Sequence, residues 1–475
     1  MANSHSKTKL QTGFKALEEN IEENNFWYSE RILFVGSLLV FLLSALLLTI
    51  TEMHNGSIGQ YNSFWDYLFN SVSVGTLTGL FRSDSGNYTF WGQAVLLFNM
   101  LISGILSSIV AILLILFVRV GLDKNSSIEK EVKRLGIDSF GIIKFIFIDF
   151  ALIIGIGTIM FLFSGSQSFW EALFNASSHI LNDGITALPG SMVRYATNTP
   201  VLLSGAFLVT IGGIGIGIRA VFYKWLLSKL NFKKLADSIP QSILAPRNFA
   251  IAVMAITLFL QIFGAIFIYQ QESTNPNTFG SLPTLTTVVN SYYMSVSTRT
   301  AGFSTISDLN LAKDKTNFVM IMLMTIGASS GSFAGGIFKL TVVIFLLIYL
   351  FSRFRGDKEL KTRGGFIHFG EKTYLEANFR ILGFSTATIF TLLLLFFFES
   401  NISGYWLIFE AISAVSNTGL TLGATPQLSL IGMSFIMILM LIGKLGFISF
   451  VISFFPKLQT LLQSTDSGRD EFPVD

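Results

Sequence analysis

The chain contains no cysteine, which excludes disulfides, thiolate metal sites and cysteine catalysis together. Charge is also scarce, at 13% of residues. Four scattered histidines, His5, His54, His179 and His368, lack the paired spacing of a metal site, and His179 is expected to serve as a hydrogen-bond partner inside its helix. No GxxxxGK[ST] segment occurs, so nucleotide hydrolysis by the chain itself is not expected. The run GGIGIGI from Gly212 to Ile218 has no preceding strand and no acidic residue at the distance a dinucleotide site needs, and it reads as close packing within an apolar segment. No nucleophile, acid or metal cluster suits an enzyme, and nothing points to nucleic acid. A cleavable signal peptide is not expected either, because the first thirty residues are polar and the first apolar run is too long for one.

What the chain does have is apolar length. Of 475 residues 51% are hydrophobic and 48 are phenylalanine, more than a soluble core requires. Runs long enough to cross a bilayer lie near Ile32 to Thr51, Gln93 to Val118, Gly141 to Ser164, Pro200 to Leu226, Phe249 to Tyr269, Phe318 to Leu350, Ile381 to Phe398 and Leu428 to Phe455. Eight spans predict a multi-pass protein of the cell membrane, in contact with lipid. Cations crowd alternate loops: Arg119, Lys124, Lys130, Lys133 and Arg134; Lys229, Lys233, Lys234 and Arg247; and Arg353, Arg355, Lys358, Lys361, Arg363 and Lys372. The opposite loops are poor in them, holding Arg82, Arg194, Arg299, Lys313 and Lys315. The positive-inside rule then puts both termini in the cytoplasm. Lys144 and Asp149, near the start of the third span, read as solvated at the interface.

The chain also repeats itself. FWDYLFN, Phe64 to Asn70, recurs as FWEALFN, Phe169 to Asn175, and more weakly as YWLIFEA, Tyr405 to Ala411. A glycine follows at fixed register, Gly79, Gly184 and Gly419, and Gly302 holds the same place in the remaining outer loop. The glycines are 105, 118 and 117 residues apart, each between an odd and an even span. The expected unit is helix, re-entrant loop, helix, repeated four times in one orientation. Irregular backbone at membrane depth is tolerated where protein shields it or a water path runs beside it. Glycine permits the positive φ that turns carbonyls toward an axis, and four such loops can make a ring replacing a cation's water. The predicted fold is therefore an all-α membrane protein with four parallel helix–pore-loop–helix repeats around a central pore. Its parts are an arm (1–31), repeats at 32–120, 121–230, 231–355 and 356–456, and a tail (457–475).

The segments TLTGLF, STRTAGFST (Ser297 to Thr305), SNTGLTLG (Ser416 to Gly423) and GASSGSFAGG (Gly327 to Gly336) resemble those of the Trk/Ktr/HKT superfamily of potassium transporters. The similarity runs from Arg31 to about Pro456, and eight spans with a short arm look most like the Ktr-type membrane subunit. It implies a potassium-uptake subunit, not an enzyme, with K+ as cargo and no covalent cofactor. The ion would be bound by a filter of Leu77, Thr78 and Gly79; Asn182, Asp183 and Gly184; Thr300, Ala301 and Gly302; and Asn417, Thr418 and Gly419. It further implies a gate at Gly327, Ser329, Ser330, Gly331, Ser332, Gly335, Gly336 and Lys444, a homodimer, and a separate cytosolic ring that binds nucleotide. Sodium permeation or sodium coupling is the alternative within the fold, and a secondary solute symporter, usually built of inverted repeats, is the alternative outside it. Family members that carry sodium have serine at the first filter glycine, whereas all four positions here are glycine.

Three features leave readings open. Asp183 departs from the small residue usual in the second loop, and either adds negative potential at the pore or caps a neighbouring amide. GASSGSFAGG, small at every position but Phe333, is either a loop in the long sixth span or a close helix contact. Lys444 either faces the pore below the filter or snorkels to the cytoplasm.

Overall fold

FWDYLFN and FWEALFN form helices for the same local reason. Ser63 and Ser168 precede them, and each serine hydroxyl accepts from the amide three residues on, while Asp66 or Glu171 reaches back to the serine amide. These reciprocal caps satisfy donors that a helix start leaves orphaned, and they fix where both helices begin. A computed structural model of the chain describes residues 26–54, 62–121, 139–165, 167–240, 243–245, 247–329, 331–333, 335 and 371–445, and among them the regular structure is helical throughout.

The helices follow the predicted unit. The first repeat has α1 (Phe26–Leu48), the short α2 (Phe64–Gly75) and α3 (Phe90–Gly121). The second has α4 (Ser139–Phe163), the short α5 (Phe169–Leu181) and α6 (Thr199–Gly213), followed by α7 (Ile216–Lys229) and α8 (Lys233–Asp237). The third has α9 (Arg247–Glu272), the short α10 (Thr284–Thr298) and α11 (Asp314–Ile326); the fourth has α12 (Glu371–Phe398), the short α13 (Gly404–Val415) and α14 (Leu430–Leu445). A single 3-10 turn follows each glycine-bearing loop, at Ser85–Asn87, Val193–Tyr195, Leu309–Leu311 and Thr425–Gln427. Among the described residues, Phe90–Ile109, Gly141–Phe163, Arg247–Glu272 and Ile381–Phe398 are long and apolar enough to cross a membrane. Shorter apolar helices include Phe34–Leu48 and Leu430–Lys444.

In α9 the buried residues Ala250, Val253, Thr257, Gln261, Gly264, Ile268 and Glu272 recur every three or four positions, one stripe along the helix. Leu258, Phe259, Ile262, Phe263 and Ile266 stay exposed, as lipid-facing side chains should. Gly264 allows α9 and α10 to approach, since a methyl there would lie 2.3 Å from the Ser295 hydroxyl.

The fourth span is not the single helix the sequence predicts. α6 and α7 meet at Ile214 and Gly215 with a bend of 109°. GGIGIGI does pack closely, because a methyl on Gly212 would fall 1.9 Å from the Ile180 carbonyl, yet it also interrupts the span. Two charges differ from expectation as well. Lys144 is exposed, but Asp149 is buried and paired with Arg219 at 2.7 Å, and Tyr223 donates to it at 2.8 Å. Arg299, counted above among outer-loop cations, is also buried. Sequence position cannot reveal which partner faces a charge across the bundle.

Candidate functional site

Each short helix ends in the same way. Leu77, Asn182, Thr300 and Asn417 take φ of 55°, 57°, 71° and 51°, and the glycine two residues later is again positive, at 85°, 81°, 77° and 92°. In three repeats the residue between them donates back into the helix: Thr78 to Ser73, Asp183 to Ser178 and Thr418 to Ser413, at 2.8, 3.0 and 2.9 Å. This is the six-residue closure of a helix whose last turn reverses through a left-handed residue. In the third repeat Gly302 makes the equivalent bond to Ser297, one residue later.

The four turns meet in a ring. A methyl on Gly79 would lie 1.8 Å from the carbonyl oxygen of Asp183, and one on Gly184 would lie 2.8 Å from that of Ala301. Gly302 stands in the same relation to Thr418, at 2.2 Å, and Gly419 to Thr78, at 2.1 Å. Each glycine thus abuts the carbonyl preceding the next glycine, in the order of the chain, and the fourth closes on the first. All four line one cavity of about 440 Å³, with Arg82, Asp84, Ser191, Ser307 and Asp308 at its walls.

Polar ties join neighbouring repeats in the same order. Gly190 N donates to Asp84 Oδ2 at 2.6 Å, and Met192 N to Ser304 O at 3.0 Å. Asn310 donates to the Leu422 carbonyl, and Arg82 reaches the carbonyls of Thr425 and Leu428, both at 2.8 Å. Asn417 Nδ2 donates to Thr78 Oγ1 at 2.9 Å, so the fourth and first turns also touch directly.

In three repeats the residue nine before the glycine anchors its loop, a role the sequence alone did not disclose. Asn70 Oδ1 accepts from Arg82 N at 3.2 Å, and Asn175 Oδ1 accepts from Ala187 N at 3.0 Å. Glu410 takes that place in the fourth repeat and accepts from the hydroxyls of Thr421, at 2.7 Å, and Thr425. In the third it is Tyr293, which shares a 2.8 Å hydrogen bond with His179 Nε2. The other His179 nitrogen lies 2.6 Å from the Asn175 carbonyl, as the helical-partner reading expects. The repeated LFN motif carried the signal.

Asp183 is fully buried, and among the described residues neither of its carboxylate oxygens has a hydrogen-bond partner. It therefore caps no amide among them, which counts against the capping reading.

Below the ring, α11 stops at Ile326, and Gly327 takes φ 63°, ψ −151°, a conformation suited to glycine. The described residues of the following segment, 327–329, 331–333 and 335, are not helical; Ser330 and Gly336 lie outside the described residues. The segment folds back on itself through Ala328 N to Gly335 O, at 3.3 Å. Lys444 Nζ donates to the Phe333 carbonyl at 3.0 Å, so the lysine is engaged by this loop. A methyl on Gly335 would lie 2.1 Å from the Ser416 carbonyl, directly beneath the fourth turn. Arg299, three residues before Gly302, donates to the Gly327 carbonyl at 2.7 Å and joins the third turn to the start of this loop.

Comparison with known proteins agrees with this architecture. The chain is 28% identical over 450 residues to the Ktr system potassium uptake protein B of Bacillus subtilis, covering 92% of this chain and 95% of that protein. It is 28% identical over 443 residues to the potassium/sodium uptake protein NtpJ of Enterococcus hirae, covering 90% and 93%. The crystal structure of the potassium transporter TrkH from Vibrio parahaemolyticus has the same fold, with a TM-score of 0.59 at 16% identity over 87% of this chain and 84% of that one. The family model for TrkH, cation transport protein, matches residues 139–460, and with four glycine turns closed into one ring the chain belongs to this family of membrane cation transporters.

Proposed function

We propose that the chain is the pore-forming subunit of a potassium-uptake system, conducting monovalent cations inward along the membrane potential. The observation that carries this reading is the closed ring of glycine turns, in which the four glycines line one cavity and each abuts the carbonyl of the next turn. The filter is built from the backbone oxygens of Leu77 to Gly79, Asn182 to Gly184, Thr300 to Gly302 and Asn417 to Gly419. A dehydrated cation gains main-chain oxygens there in place of water. The C-terminal ends of α2, α5, α10 and α13 adjoin the ring, and their partial negative charge favours a cation. The loop containing Gly327, Ser329, Gly331, Ser332 and Gly335, held by Lys444, closes the path below. The four repeats span 32–120, 121–230, 231–355 and 356–456, with both termini cytoplasmic, and the subunit acts as a homodimer on a separate nucleotide-binding ring.

Sodium permeation is the second reading, favoured by Asp183 and by the potassium/sodium uptake named for the relative from Enterococcus hirae. The test is rubidium and sodium influx in liposomes and in a potassium-uptake-deficient host, comparing the parent with Asp183→Ala and Gly302→Ser. A potassium filter passes rubidium well above sodium. Equal influx of the two ions in the parent refutes the selective reading.

A further inference from the structure

The break in the fourth span and the loop in the sixth satisfy each other's backbone. In an unbroken helix the Ile216 amide would donate to the Gly212 carbonyl. Here it donates instead to Gly331 O at 3.0 Å, while Ser329 N reaches Gly213 O at 3.1 Å and Phe333 N reaches Gly212 O at 3.4 Å. Left without these partners, the same groups would stand unpaired at membrane depth, a costly state unless water reaches them. A loop that left this seat would need water to take up those groups.

Side chains reinforce the seat. Phe333, the one large residue of GASSGSFAGG, lies with its ring 4.8 Å from the Arg219 guanidinium and edge-on to Phe150 at 5.1 Å. Arg219 sits at the start of α7. Its Nη1 donates to Ile214 O at 2.7 Å and Ile211 O at 3.4 Å, covering carbonyls at the end of α6, and its Nη2 pairs with Asp149 at 2.7 Å. Tyr223, also on α7, engages the other Asp149 oxygen. A movement of α7 would shift Ile216 and Arg219 together, removing a backbone bond and the face against Phe333 in one step.

We propose that the broken fourth span is the seat on which the sixth-span loop closes, with Asp149, Arg219 and Phe333 as positioning residues, so that ions pass only when the loop leaves it. This rests on the reading of that loop as a gate.

The absence of native cysteine makes a direct test possible. A methyl on Gly213 would lie 3.5 Å from the Ala328 Cβ, within the ~3.5–4.5 Å range that a disulfide bridges. In the double variant Gly213→Cys, Ala328→Cys, oxidation should form the crosslink and abolish rubidium influx in the uptake-deficient host, and reductant should restore it. Neither single variant should respond. Phe333→Ala, or Phe333→Leu if the alanine variant misfolds, should raise rubidium leak through the purified chain in liposomes by roughly fivefold or more, at an unchanged rubidium-to-sodium ratio. Failure to crosslink, or full influx with the crosslink formed, overturns the proposal. Shortening the loop separates the two ideas. If shortening causes leak but the Phe333 variants do not, the gate stands and the seat is wrong; if shortening leaves the leak unchanged, both fall.

Discussion

Leu77 and Thr300 hold backbone conformations that asparagine tolerates at the corresponding positions 182 and 417, and each costs about 1–2 kcal/mol relative to ordinary φ. That strain persists because the hydrogen-bonded reversal at the helix end and the neighbouring turns hold it. The glycines next to them face a graded constraint, since a methyl would meet a carbonyl at 1.8 Å at Gly79 but 2.8 Å at Gly184. Gly79→Ala should therefore abolish selective rubidium influx, while Gly184→Ala should retain part of it. Parallel influx measurements on the two variants decide this, and a reversed order would contradict the ring geometry. Asp183 offers a second test at this scale. Its carboxylate is buried beside the ring with no hydrogen-bond donor among the described residues, so Asp183→Ser should raise the rubidium-to-sodium influx ratio. An unchanged ratio dismisses the residue from ion choice.

Among the elements, α2 and α5 are positioned by their caps at one end and by the asparagine nine before the glycine near the other. Asn175→Ala would strand the buried Ala187 amide and should cost about 1–3 kcal/mol, read as a lower melting temperature of the purified protein in detergent. Asn70→Ala should behave likewise through the Arg82 amide. If both variants melt with the parent, the side-chain anchor contributes nothing to stability. The fourth span marks where reading by element falls short. Its apolar run is continuous in the sequence, and a helix is the default for such a run in lipid. The bend depends on Gly212 meeting the Ile180 carbonyl and on the sixth-span loop receiving the released amide, two contacts made by distant segments. Asp149 is the same lesson in charge. Near a span end it reads as solvated, and only its position opposite Arg219 makes it a buried partner.

At the scale of the molecule, ring closure fixes the order of the repeats, and the outer polar ties repeat that order independently. The proposed orientation can be tested with single cysteines in the cysteine-free chain. Ser307→Cys, exposed at the cavity wall, should react with a membrane-impermeant thiol reagent added outside cells, and Lys229→Cys, exposed at the end of α7, only after access to the inner face. The opposite pattern would invert the topology. The sequence by itself determined the apolar runs, the four-fold repeat and the register of its glycines, because hydrophobic length, motif recurrence and the need for positive φ are local properties. It also singled out GASSGSFAGG as unusual, since so many small residues suit either a loop or a close helix contact, without deciding between the two. Only the tertiary structure decided that the four turns share one ring, that Lys444 and Arg299 bond the loop beneath it, that Asp183 has no donor among the described residues, and that the broken fourth span exchanges backbone hydrogen bonds with that loop. Those facts depend on which groups meet across more than a hundred residues of chain, and such meetings are set by packing the whole bundle, not by any one segment's pattern.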